Sequence, residues 1–475
     1  MKRLITIALM LVTAGLNAQV VIDKGDENRR IDADIMAEAT YAGSHNGQTL
    51  WAAHVKNGWQ VIGADHQMET TRTQGVKTGA DELLAAAHSE DTVVLLLADR
   101  SHKGRTDVLV ARFTAVGHST IDTLATYAYG KKDKCLLWGA TSPSGNHMAL
   151  CAIVEYTETK QYSARMTMLD AGGHTEWQRE YALGTMEQLY VTDDGRMATL
   201  GTEHDGTTLH LIINYADRAH AVTDDATVVC ETPRELRIAN VVDGHMIALG
   251  TIPGNGFRGA EELCGGTIAF AYDLEKGRTV GFTIRPFSNE DIDILYNKPT
   301  KKMQHDLLCE HATPLGYVAL PYGAAMVMGR NFEKISLADN GTEEHAFSRV
   351  GLHIVASDTG ANFVWVRNLR RNDWQKSHPD LLYVGLMAAG DTLCIVKSES
   401  RKMPAIYEIG KEAKQLKMGD KNNMVLYRLM ADGEVKKDIL EAGSKHSVLC
   451  LTPQGDIITA RGSHTRHVKL SFNIP

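Results

Sequence analysis

The chain has 475 residues, 43% of them apolar and 23% charged, with 50 Lys plus Arg against 58 Asp plus Glu and a formal charge of −8. That balance belongs to a globular protein and excludes a disordered chain, which carries fewer apolar residues and more net charge. The mild acidity speaks against a nucleic-acid binder, which presents a basic face, and no stretch after residue 20 approaches the ~20 apolar residues of a membrane span.

Met1-Lys2-Arg3 opens the chain, an apolar run follows from residue 4 to 16, and Asn17-Ala18-Gln19 places a small residue before a polar start. That order predicts a secretory signal peptide over 1–18, cleaved after Ala18. The apolar run is too short to anchor the chain, and no Cys follows it to carry a lipid. The protein is therefore expected to be exported, to the periplasm, the cell surface or beyond, with residues 19–475 forming a single domain.

From there the chain is a series of short apolar runs rich in β-branched residues, parted by Gly, Asp or Asn turns. Residues 92–98, 107–114, 147–155, 209–215, 267–272, 352–356 and 424–429 are examples. Each has strand length, and long amphipathic helices are scarce. Two stretches, 79–88 and 297–311, read as helical pieces between such units.

Two patterns recur. In the first, a tight turn with Gly leads into an apolar strand, at Gly145, Gly195, Gly244, Gly390 and Gly455. The first three glycines are spaced about fifty residues apart, a repeat length typical of propeller blades. In the second, a strand, a Gly or Asp turn and another strand run from Met166 to Trp177 and again from Ile354 to Trp365, with looser copies at 272–280 and 429–435. Alternating hairpins at this period make four-stranded antiparallel units. Such units cannot bury both faces alone, and repetition around an axis gives an all-β fold, the β-propeller. Six units are clear and the two ends supply material for a seventh, so seven blades are expected within a range of six to eight. A strand near the N-terminus should pair with residues 456–472 and close the ring. Two β-sandwiches are the rival fold, but no linker rich in Pro, Ser or Thr separates them. The later units are stretched by insertions at 253–266, 286–317, 370–380 and 399–422.

The Asn-Ala-Gln signal end, the Gly-Tyr-Val strand start at Gly316 and the stretch from Asp358 to Trp365 resemble uncharacterised exported proteins of Bacteroidetes. The matching part is roughly 307–462. The resemblance implies an exported β-propeller and brings no catalytic residues with it.

Seven cysteines are scattered without a C-x-x-C pair, and Cys151, Cys394 and Cys450 lie inside apolar runs as small core side chains. An odd count leaves at least one thiol outside any disulfide. Gly254-Asn-Gly-Phe-Arg-Gly259 spells the dinucleotide string, but Pro253 and the strand soon after it fit an inter-strand loop better than the strand-to-helix turn that cradles a pyrophosphate. The twenty histidines include His464 and His467, yet none has H-E-x-x-H spacing, and Asp32, Asp34, Asp291 and Asp293 lack the rest of a calcium loop. No metal site and no cofactor is expected. Trp177 and Trp365 hold equivalent places and should pack between blades. Trp374 differs: it stands with Arg370 and Arg371 in the polar insertion 370–380, where an aromatic beside Arg can stack on a sugar or anchor a protein. The competing role for Trp374 is a local staple under its loop.

The sequence thus points to an exported, non-catalytic β-propeller binding a protein or glycan through its loop-rich face. Nucleic acid is not an expected partner. The alternative is a propeller hydrolase or lyase acting on polysaccharide or peptide, which would need carboxylates or histidines gathered in the central funnel.

Overall fold

The computed structural model describes residues 19–24, 39–45, 48–159, 161–181, 186–205, 208–230, 233–258, 261–296, 307–309, 312–330, 332–337, 343–376, 383–400, 414–416, 422–461 and 464–473. Strand β1 (Gln19–Lys24) comes first and stands apart from its sequence neighbours. Then β2 (Thr40–His45), β3 (Gln48–Val55), β4 (Gly58–Ala64) and β5 (Thr70–Lys77) pair in chain order as an antiparallel sheet, blade 1.

The meander repeats. Blade 2 is β6 (Glu82–His88), β7 (Thr92–Asp99), β8 (Arg105–Thr114) and β9 (Ser119–Ala128). Blade 3 is β10 (Lys134–Thr141), β11 (His147–Tyr156), β12 (Gln161–Asp170) and β13 (Thr175–Tyr181). Blade 4 is β14 (Gln188–Val191), β15 (Met197–Asp205), β16 (Thr208–Ala216) and β17 (Ala221–Val229). Blade 5 is β18 (Glu235–Val242), β19 (His245–Arg258), β20 (Glu261–Asp273) and β21 (Arg278–Pro286).

Helix α1 (Asn289–Tyr296) and β22 (Leu307–Cys309) precede blade 6. Its meander is β23 (Thr313–Leu320), β24 (Gly323–Gly329), β26 (Glu343–Asp358) and β27 (Phe363–Lys376), with β25 (Phe332–Leu337) set beside the long β26 and paired to β22. Blade 7 is β28 (Val384–Ala389), β29 (Thr392–Ser400), β31 (Asn422–Leu429) and β32 (Val435–Ser444); β30 (Lys414–Leu416) leaves it to pair in parallel with β27. Blade 8 takes β33 (Ser447–Leu451), β34 (Asp456–Arg461) and β35 (His464–Asn473), and its fourth strand is β1. Gln19 lies opposite Asn473 and Val20 opposite Phe472, the closure expected from the sequence.

Eight apolar clusters lie between the eight sheets among the described residues. Val61 of blade 1 meets Leu95 and Phe113 of blade 2, and Leu96 of blade 2 meets Leu150 of blade 3. Met168 meets Met197 across blades 3 and 4, Leu211 meets Phe270 across 4 and 5, and Leu249 meets Met326 across 5 and 6. Ile354 meets Ile395 across 6 and 7, Leu426 meets Ile457 across 7 and 8, and Trp51 meets Ile458 to complete the circle. Every blade is covered on both sides, which is why second strands such as β7 are unbroken apolar runs: Val93, Leu95 and Leu97 face blade 1, while Val94 and Leu96 face blade 3. The fold is a closed eight-bladed β-propeller, one blade more than the favoured seven and within the expected range.

The predicted helix at 79–88 is in fact β6, the inner strand of blade 2. The run Leu83-Leu-Ala-Ala-Ala87 has good helix formers, but its place between blades 1 and 3 overrides local propensity. The turn after it, Ser89-Glu90-Asp91, has no Gly, so this blade lacks the recurring turn mark, although its strands at 92–98 and 107–114 are legible as apolar runs. Of the helical stretch expected at 297–311, 307–309 is strand and 297–306 and 310–311 lie outside the described residues; helix α1 ends just before it, at Tyr296.

The recurring glycines close first-to-second strand turns with φ between 59° and 84° at Gly145, Gly195, Gly244, Gly390 and Gly455. The second pattern closes third-to-fourth turns. Arginines tie these to the blade before: Arg112 Nε and Nη2 donate to the carbonyls of Gly172 and Gly173 at 2.9 and 2.8 Å, and Arg367 Nε donates to Gly433 O at 2.6 Å. Trp177, buried on a fourth strand, donates to Gly195 O at 3.3 Å, and Trp365 packs between blades 6 and 7.

Candidate functional site

An antiparallel meander puts its first and third turns at one end, and its second turn and exit at the other. The propeller therefore has a tight-turn face and an opposite face. All four insertions leave the described strands at the end opposite the tight turns: 253–266 and 399–422 join the second and third strands of blades 5 and 7, while 286–317 and 370–380 follow the fourth strands of blades 5 and 6. Blade 6 adds β25 there, between its second and third strands.

Trp374, Arg370 and Arg371 lie on this face, but not on a loop as expected. Strand β27 continues to Lys376; Arg370 lies opposite Gly351 and Trp374 opposite Ser348, with Gln415 of β30 on the other side of Trp374, and Arg371 falls in the register shift between them. Neighbours on both sides turn the segment into a ladder because its main-chain groups find partners there. The side chains of the three residues lie outside the described residues. Gly254 to Arg258 likewise extends β19, with Phe257 opposite Glu262, so the dinucleotide string sits in a hairpin.

Helix α1 is anchored below this face by a buried carboxylate. Ser288 and Asp291 form its capping box: Ser288 N and Oγ donate to Asp291 Oδ2, each at 2.9 Å, and Asp291 N donates to Ser288 Oγ at 3.2 Å. Asp291 also accepts from Asn368 Nδ2 at 2.8 Å and faces Arg285 at 2.9 Å and His353 Nδ1 at 3.3 Å. Burial opposes the charge, yet the bonds from His353 and Asn368 outweigh it and hold the carboxyl well below the usual range. In blade 7, Glu399 lies between Lys397 at 2.8 Å and Lys437, and Tyr427 donates its phenol to the same carboxylate. At the seam, Asp456 takes bonds from His467 and Lys469, each at 2.8 Å, and His66 of blade 1 meets His467 at 3.0 Å.

The tight-turn face opens on a channel cavity of about 470 Å3, bounded by β2, β6, β10 and the turns at 142–145 and 453–454. None of its lining residues is Asp, Glu, Lys or Arg, in a chain that is 23% charged. Leu83, Leu84 and alanines give an apolar strip, and Thr, Ser, Gln454, Tyr41 and His88 give the polar groups. His88 occupies a slot that two glycines leave open. A Cβ at Gly43 would fall 2.3 Å from its ring and one at Gly145 2.9 Å, so the imidazole of blade 2 reaches across blades 1 and 3. Burial pushes the Tyr41 phenol up to about 12. No signal in a single sequence marks His88, because the slot is assembled from residues 43, 88 and 145.

Among the described residues no group of three His, Cys, Asp or Glu is placed to hold a metal ion, no helix is long and apolar enough to cross a membrane, and no disulfide joins the six cysteines whose side chains are described. No family model matches the chain and no curated protein matches it. It is similar to solved propellers. The Dos1 propeller aligns at 7% identity over 94% of this chain and 95% of that one, with a TM-score of 0.45. The WD40 domain of SCAP from fission yeast gives 8% identity over 95% and 98%, with a TM-score of 0.37. The WD40 domain of Toxoplasma gondii coronin gives 10% over 96% and 87%, also with 0.37. At these identities the likeness is one of fold.

Proposed function

We propose that the protein is an exported, non-catalytic propeller that binds a protein or glycan partner on the face carrying its insertions. The observation that carries this reading is the segregation of the insertions: blades 5, 6 and 7 all extend at one end, while the other end keeps short turns. A closed ring with eight packed interfaces is a rigid frame, and binding residues collect on the connections of such frames. Export rests on the signal order, and cleavage after Ala18 would keep all of the described closing strand, Gln19–Lys24.

The test is cross-linking of the tagged protein in the cells that export it, with mapping of the linked residues. Links should fall in 253–266, 286–317, 370–380 and 399–422, and the recovered chain should start at Gln19. Trp374→Ala should weaken binding of the cross-linked partner by ~2 kcal/mol or more, in the range of aromatic hot spots, with little change in Tm. Links confined to the tight-turn face, or a fall in Tm with unchanged affinity, would overturn the assignment of this face.

A further inference from the structure

The cavity on the tight-turn face lies at the far end of the propeller from the insertions and stands independently of the reading above. Its volume, about 470 Å3, falls within the roughly 300–1,000 Å3 of small-molecule sites. Four consecutive blades contribute to it, 8, 1, 2 and 3, so it is built by the ring and not by one loop.

Its chemistry is selective in two ways. The lining has no formal charge outside His88, so nothing there compensates a carboxylate, phosphate or ammonium stripped of water. The polar groups it does offer mostly both donate and accept: the hydroxyls of Thr40, Ser142 and Ser144, the Gln454 amide and the His88 imidazole. Ser142 Oγ accepts from His147 N at 3.1 Å and meets Ser144 Oγ at 3.5 Å, and Gln454 Oε1 is an acceptor with no partner in the protein. Sugar hydroxyls have the same double character, and the Leu83, Leu84 and alanine strip suits the C–H face of a pyranose ring.

An extended peptide fits less well. The gap between the inner strands is already bridged: Thr141 Oγ1 donates to Ala86 O at 2.8 Å and accepts from Ala86 N at 3.3 Å, and His88 N reaches Gly145 O at 3.4 Å. A strand seeking main-chain partners finds that stretch of edge taken. We propose that this cavity binds a neutral saccharide of one or two rings, with His88 as the central hydrogen-bonding contact. Gly43 and Gly145 are then specificity positions in their own right, because a side chain at either one displaces the imidazole.

The experiment is calorimetric titration of the full protein with neutral mono- and disaccharides (glucose, galactose, maltose, cellobiose, lactose, chitobiose). Matched sugars carrying a carboxylate or free amine, and a blocked neutral tripeptide, form the comparison arms. At least one neutral sugar should bind, and its charged analogues should bind about tenfold more weakly or not at all. His88→Gln should lower the affinity about tenfold or more. Thr40→Arg, at an exposed lining position, should abolish binding without changing Tm and decides the matter if the His88 variant does not fold. Silence from every neutral sugar, equal or tighter binding of charged sugars or the tripeptide, or affinity unchanged in both variants would overturn the proposal.

Discussion

Glu399 is 1% exposed, with Lys397, Lys437 and Tyr427 all directed at its carboxylate. Burial works against its charge, but the two lysines outweigh that and bring the carboxyl from 4.5 down to about 2. A folded pKa below the unfolded one contributes stability that is present above the unfolded value and lost as the pH falls through the folded value. For Glu399 that window runs from about pH 4.5 to about pH 2. Asp291 and Asp456 are displaced in the same direction, so the whole protein should weaken over this acid range. The share due to Glu399 appears as a difference. Glu399→Gln should cost ~3 kcal/mol at pH 7, since it strands a buried lysine, and less as the pH approaches 3. Urea midpoints at pH 7, 4 and 3 would check this, and a constant gap between the two proteins would refute it. His88 belongs to the same scale for a different reason: its identity as a histidine is plain in the sequence, while its neighbours come from blades 1 and 3.

Turns show how far local chemistry carries. Gly195 holds φ +75° between β14 and β15, and an added Cβ would lie 3.2 Å from His147. Gly195→Val should therefore lower stability by ~1–2 kcal/mol, the strain of a β-branched residue at positive φ. Gly75→Val on the outer strand β5, where φ is ordinary and the nearest atom is 3.5 Å away, should cost far less. Equal melting temperatures for the two variants would show that the turn is not under strain. Such turns were readable because the backbone demands Gly there, and with them the four-stranded period and the ring. Blade 2 carries no such mark, because its first turn, Ser89 to Asp91, manages without Gly. The segment 370–376 is strand and not loop because its partners, β26 and β30, are supplied from 343–358 and 414–416, a pairing that polar composition does not announce.

The ring as a whole depends on one pairing that no single blade contains. Six residues of β1 lie opposite β35, from Gln19 with Asn473 to Lys24 with Val468. A chain beginning at residue 25 should lose roughly 3 kcal/mol or more, at about 1 kcal/mol net for each ladder hydrogen bond given up. It should also self-associate at high concentration through the bared edge of β35. Calorimetry and sizing against the protein beginning at Gln19 would test both, and matched Tm with a monomeric profile would show that closure adds no stability. The same pairing sets a timetable. Synthesis delivers β1 at the start and β35 some four hundred and fifty residues later, so the first strand must wait, unpaired, while seven blades assemble. Over that interval one edge of the nascent protein is open to any passing strand, and contacts of such sequence separation form slowly. A cell making this protein carries the burden of guarding that edge until β35 arrives; a ribosome that stalls within blade 8 releases a ring with a gap in it.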